Sequence, residues 1–191
     1  MTRSILHAAL DENIALHQRV KDGDAQPIID AAAAIVETLR AGGKLLAFGN
    51  GGSAADAQHF AAELVGRFQR ERQALAALAL TTDTSVLTSI SNDYAFDRVF
   101  ARQVEALGRP GDVALGISTS GDSPNVVAAL ETAQALRIRT IALTGRDGGV
   151  IGRAASIHVN VPANDTARVQ EVQRTLLHVI GDLVERAFEQ R

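Results

Sequence analysis

Apolar residues follow two different periods along this chain. From the N-terminus, Ile5, Leu6, Ala9, Leu10, Ile14 and Leu16 recur at helical spacing until Asp22, Gly23 and Asp24 interrupt them. Ile28, Ile29, Ala32, Ile35, Val36 and Leu39 repeat the pattern up to Gly42 and Gly43, which end the helix. Beyond that point the period changes. Short apolar runs at 44–48, 76–80, 113–118, 139–144 and 157–161 read as strands. Helical patterns at 54–68, 96–107 and 124–136 lie between them, and a long helix at 167–188 closes the chain. Strands alternating with helices imply parallel βαβ units, hence an α/β three-layer sandwich around a five-stranded parallel sheet. No linker, repeat or low-complexity tract divides residues 1–191, which read as one domain with 1–43 as a helical N-terminal extension. That extension and the final helix, with Leu176, Leu177, Ile180, Leu183 and Val184, carry apolar surface that suits either packing within one chain or burial in a homo-oligomer.

Two polar, glycine-rich loops change the picture from architecture to chemistry. Gly49-Asn50-Gly51-Gly52-Ser53 follows the first strand, and Ser118-Thr119-Ser120-Gly121-Asp122-Ser123 follows the third. A strand end, a tight turn and a helix N-terminus gather free N–H groups and the positive end of the helix dipole, a setting for an anion. Two such loops predict a phosphorylated ligand at the C-terminal edge of the sheet. Ser53 reads as an N-cap with Asp56 as its capping-box partner, and Ser123-Pro124 as an N-cap followed by proline at the first helical position. Gly49, Gly51 and Ala54 also match the G-x-G-x-x-A of a dinucleotide turn, but no acidic residue ends the next strand at the required spacing. Neither loop is followed by the Gly-Lys-Ser/Thr of a nucleotide hydrolase. Four residues apart on the helix after the first loop, His59 and Glu63 share one face, a pair that suits a metal or a general base with its partner. Arg67 and Arg70 follow, either raising the positive potential near the phosphate or solvating the helix end.

Composition removes several alternatives. A net charge of −3 argues against general nucleic-acid binding, and Lys21 and Lys44 are the only lysines. With no cysteine, any metal must take nitrogen or oxygen ligands. The N-terminal segment has no signal-peptide core, and no stretch reaches the roughly 20 apolar residues of a membrane span, so a cytoplasmic protein without membrane contact is expected.

Several ordered motifs together resemble a known family. They are the run Gly49 to His59, Leu80-Thr81-Thr82-Asp83, Ser91-Asn92-Asp93-Tyr94, Ser118-Thr119-Ser120-Gly121 and Ala167-Arg168-Val169-Gln170-Glu171. In this combination, which covers nearly the whole chain, the sequence resembles the bacterial phosphoheptose isomerases of the sugar isomerase (SIS) domain superfamily. The resemblance implies a flavodoxin-like SIS fold and a homotetramer with active sites at subunit interfaces. It also implies interconversion of sedoheptulose 7-phosphate and D-glycero-D-manno-heptose 7-phosphate, the first step toward activated heptose. By the same resemblance Asn50, Gly51, Gly52 and Ser53 line the sugar phosphate site, Ser118, Thr119, Ser120 and Ser123 hold the phosphate, and Asn92 and Asp93 contact the sugar. His59, Glu63, Gln170 and His178 are implied as zinc ligands, with Glu63 and Gln170 also touching substrate and Glu63 and His178 as the acid–base pair. Gln170 and His178 lie eight residues apart, about 12 Å along a straight helix, so one ion takes both only with extended side chains, a distorted first turn or ligands from two subunits. A metal-free acid–base mechanism with the same residues is the alternative, and a non-catalytic SIS module that binds a sugar phosphate, or a protein partner such as a replication initiator, is the alternative function.

Overall fold

The computed structural model describes residues 2–189. Five strands pair in parallel: β1 (Leu45–Gly49), β2 (Ala77–Ala79), β3 (Val113–Ser118), β4 (Arg139–Gly145) and β5 (Ile157–Val161). Their order is β2-β1-β3-β4-β5. The helices are α1 (Thr2–Lys21), α2 (Gln26–Arg40), α3 (Gly52–Val65), α4 (Thr84–Asp93), α5 (Val99–Leu107), α6 (Pro124–Ala135), α7 (Gly149–Ala154) and α8 (Thr166–Ala187). The α/β class and the five-stranded parallel sheet are therefore those expected.

Both faces of the sheet are covered, which explains why the central strands β1, β3 and β4 are largely apolar runs, whereas the edge strand β5 alternates. Leu45, Ala47, Val113, Leu115, Ile117, Ile141 and Leu143 face a core shared with α2, α3 and α8. Leu46, Phe48, Ala114 and Ala142 face a second core shared with α5, α6 and α7. Helices α3 and α6 therefore leave neighbouring strands toward opposite faces. The register pairs Gly49 with Ile117, so the loops after β1 and β3 start side by side and then diverge. That divergence opens the crevice at which doubly wound sheets bind ligands.

The structure departs from the sequence reading in four places. Helix α4 has no counterpart in the sequence reading, because Val86, Leu87 and Ile90 are its only apolar residues among Ser and Thr and none of them is buried. Asp83 starts it by accepting the Val86 N–H at 3.0 Å. Helix α7 was also unforeseen, since Gly149 and Gly152 weaken its pattern; both are present because the His158 ring and the Asp122 carboxylate come too close for a Cβ. Strand β2 is shorter than 76–80, as suits an edge strand. Helix α3 begins at Gly52 rather than at 54 and ends at Val65 rather than at 68.

Phe60 of α3 is fully buried and its ring lies beside Gly181 of α8, where a Cβ would sit 3.6 Å away. Truncation there opens a cavity between the two helices. Phe60→Ala should lower unfolding free energy by about 3–5 kcal/mol in urea titration, with an unchanged denaturant slope.

Candidate active site

The first loop turns on Gly51, whose φ of +54° is a conformation that L side chains rarely adopt. Gly51 serves as the helix N-cap, so Ser53 sits inside the first turn and does not cap it. The Ser53 and Ala54 N–H groups fold back on the Asn50 carbonyl at 2.9 and 3.3 Å. Asp56 is not a capping-box partner either: it is buried and its Oδ1 accepts from Arg174 Nε at 2.9 Å and from Arg174 Nη2. In the second loop Ser118 Oγ bonds both Ser123 Oγ at 2.9 Å and Ser120 Oγ at 3.2 Å. Ser123 is the N-cap of α6 by position, with Pro124 following as expected, but its hydroxyl belongs to this cluster rather than to the helix. Thr119 stands half-buried beside them. The two loops are tied together by Asn50 and Asn125, whose amides exchange hydrogen bonds at 2.8 Å in each direction.

Helices α3 and α8 both follow strands of the parallel sheet, so they run in the same direction. Their facing residues match in order. Gly52 meets Gln170, where a Cβ would collide with the amide; Asp56 meets Arg174; His59 meets His178. The expected metal and acid–base residues are thus sorted into layers. His59 Nε2 and His178 Nε2 are 2.7 Å apart, and Glu63 Oε1 lies 3.4 Å from His59 Nε2. Two imidazole nitrogens this close share one proton, or both offer lone pairs to a common cation. One donor atom from each of His59, Glu63 and His178 lies within 4.8 Å of the others. Two imidazoles and a carboxylate are a donor set that zinc takes. Gln170 is not with them in the same chain, because it sits one layer and more away against Gly52. Asn92 and Asp93 are exposed on the last turn of α4 and are bonded to each other at 2.9 Å, with no bond to either loop.

The layer holding Glu63 and His178 is fastened by residues that the sequence did not single out. After α3 the chain turns through 66–72, and buried Glu185 of α8 accepts the N–H groups of Phe68, Gln69 and Arg70 at 2.8–2.9 Å. Arg72 is buried beside Glu185 and donates to the carbonyls of Glu63, Leu64, Gly66 and Gln73, closing the C-terminal end of α3. The Phe68 ring consequently stacks on the His178 imidazole, centroids 5.4 Å apart and planes 25° from parallel. Burial alone would raise the Glu185 pKa, but the three N–H donors and the Arg72 charge outweigh it and hold the carboxyl below its ordinary value. Arg67 and Arg70 do not face the loops: Arg67 pairs with Glu71 at 2.8 Å, and Arg70 with Asp182.

A SIS domain family model matches residues 10–145. The chain is 59% identical over 165 residues to a phosphoheptose isomerase of Geobacter sp. (strain M21), covering 86% of each chain. It is 57% identical over 161 residues to one from Aquifex aeolicus (strain VF5), covering 84% of each. Its fold superposes on a phosphoheptose isomerase from Neisseria gonorrhoeae with a TM-score of 0.93 at 47% identity, covering 97% of this chain and 100% of that one. The chain belongs to the phosphoheptose isomerase family. Against that membership, the SIS fold expected from the resemblance is the fold observed.

Glu185 and Arg72 lie outside the motifs that carry the family resemblance. The sequence signal for Glu185 is a glutamate within the apolar stripe of α8, in series with Leu177, Ile180, Gly181 and Val184. Because the Glu185 carboxyl is held low in the folded chain, its contribution is fully present above the ordinary carboxylate value of 4.5 and disappears as pH falls toward the lower folded value. Glu185→Gln should cost about 1–3 kcal/mol at neutral pH. Melting temperatures measured from pH 7 to pH 3 should fall less steeply for the variant than for the wild type.

Proposed function

We propose that this chain interconverts sedoheptulose 7-phosphate and D-glycero-D-manno-heptose 7-phosphate as an aldose–ketose isomerase. Its relatives carry that enzyme's name, and the observation that carries the mechanism is the convergence of Glu63 with His178 on facing helices. Glu63 removes the proton from C1 of the ketose and returns one to C2, through an enediol. His178 moves the accompanying proton between the C1 and C2 oxygens. The loop hydroxyls of Ser118, Thr119, Ser120 and Ser123 and the N–H groups of Gly51 and Gly52 grip the phosphate, with Asn50 and Ser53 lining the site. Asn92 and Asp93 contact sugar hydroxyls. His59, Glu63 and His178, with Gln170, would hold one zinc ion, and an atom of Glu63 or His178 that binds the ion is not the atom that moves a proton. When bound, zinc supplies a Lewis acid for negative charge that develops on the sugar oxygens. A non-catalytic module has no use for the paired Glu63 and His178, so the enzyme is the reading retained.

The same account makes residues 1–191 one SIS domain of a cytoplasmic homotetramer with sites at its interfaces. Along α3, Gly52 and Glu63 are about 16 Å apart, which favours pairing the loops of one protomer with the Glu63–His178 layer of another. Gln170 then reaches the zinc from a second chain instead of stretching along its own helix. Ile5, Leu6, Leu10 and Ile14 of α1 are each more than half exposed, an apolar surface that oligomerisation would cover. Among the described residues no helix is long and apolar enough to cross a membrane.

Three outcomes follow for the purified protein. It should convert sedoheptulose 7-phosphate, lose activity on chelation and regain it with zinc; no turnover under any metal condition overturns the assignment, and full activity without metal removes zinc from it. Glu63→Gln should lower kcat by about 10²- to 10⁴-fold while substrate still binds, as read by calorimetry. Mixed oligomers of Glu63→Gln and Gln170→Ala protomers should recover activity that neither variant has alone. Recovery fails if each site is built from one chain.

A further inference from the structure

Asn125 had no role in the sequence reading, yet it is the residue that joins the two loops. It lies in the first turn of α6, 2% exposed, while its partner Asn50 is half-buried in the turn before α3. Among the described residues their amide pair forms the only side-chain hydrogen bonds between residues 49–53 and 118–125. It spans the place where α3 and α6 part toward opposite faces of the sheet. Two reciprocal bonds hold the planes of both amides and the distance between the two loops, which a single bond would leave free to swing.

We propose that Asn125 is a positioning residue for sugar phosphate binding. It holds the Asn50 side chain in place and fixes the spacing of the two loops, without touching substrate itself. Freed from Asn125, the Asn50 amide swings and the two loops lose the side-chain tie between them. The proposal rests on the reading that Asn50 lines the substrate site.

The test is a double-mutant cycle read by calorimetric binding of sedoheptulose 7-phosphate to the full-length protein. Asn125→Ala should raise the dissociation constant about tenfold, the value of one well-directed hydrogen bond. Asn50→Ala should raise it by at least as much, and the double variant no further than Asn50→Ala alone. Turnover at saturating substrate should stay within about threefold of wild type for Asn125→Ala, since the acid–base layer is untouched. Asn125→Leu fills the same space without polar atoms and should repeat the result where the alanine variant does not fold. An unchanged dissociation constant in a folded variant, or losses that multiply in the double variant, would overturn the proposal. Binding without turnover by the wild type counts against the isomerase assignment alone, whereas no binding by the wild type overturns both.

Discussion

The side-by-side contact of α3 with α8 is the constraint on which the chemistry of this chain depends. Both helices follow strands of one parallel sheet, so they run in the same direction and their residues meet in matched layers. Gly52 lets α8 approach closely enough for Gln170 to sit over the first turn of α3. Asp56, 2% exposed, receives the Arg174 guanidinium in the next layer. A buried carboxylate deprived of its partner is strongly unfavourable, so this pair fixes the axial register of the two helices. One layer further on, that register brings His59 and Glu63 against His178. Sliding either helix by one turn would separate them.

The proposed mechanism assigns binding and bond-making to different ends of the same helix. It puts the phosphate grip at the N-terminal end of α3, where the first N–H groups and the dipole favour an anion. It puts the carboxylate base at the C-terminal end, where the dipole disfavours negative charge and Arg72 closes the last carbonyls. In that proposal the two functions lie at opposite ends of the helix within one chain, and the proposed oligomer pairs complementary ends of two chains.

The strands β1, β3 and β4 were legible because burial on both faces makes each a short apolar run, and β5 because Ile157, Val159 and Val161 alternate with His158 and Asn160. The two loops were legible because glycine and hydroxyl residues at a strand end have few other physical explanations. Helix α4 was not, since its Ser- and Thr-rich sequence carries no buried stripe. Ser53 and Asp56 fit a capping pattern, yet Gly51 takes the cap and Arg174 claims the aspartate from 118 residues away. The roles of Glu185, Arg72 and Asn125 were illegible for the same reason. Their meaning lies in partners brought together by the fold, and periodicity shows only that Glu185 falls on the apolar stripe of α8. His178 became recognisable through resemblance alone; the structure adds the facing His59 and the stacked Phe68.

Solvent hydrogen exchange reports most directly on a carboxylate that carries a proton between two carbons through an enediol. The measurement is the NMR spectrum of heptose 7-phosphate formed from sedoheptulose 7-phosphate by the purified protein in D₂O. The account predicts deuterium at C2 of the product, introduced by way of Glu63. Rapid turnover with only protium at C2 through many cycles of equilibration would mean direct hydride transfer between the carbons. That result would contradict the role assigned to Glu63.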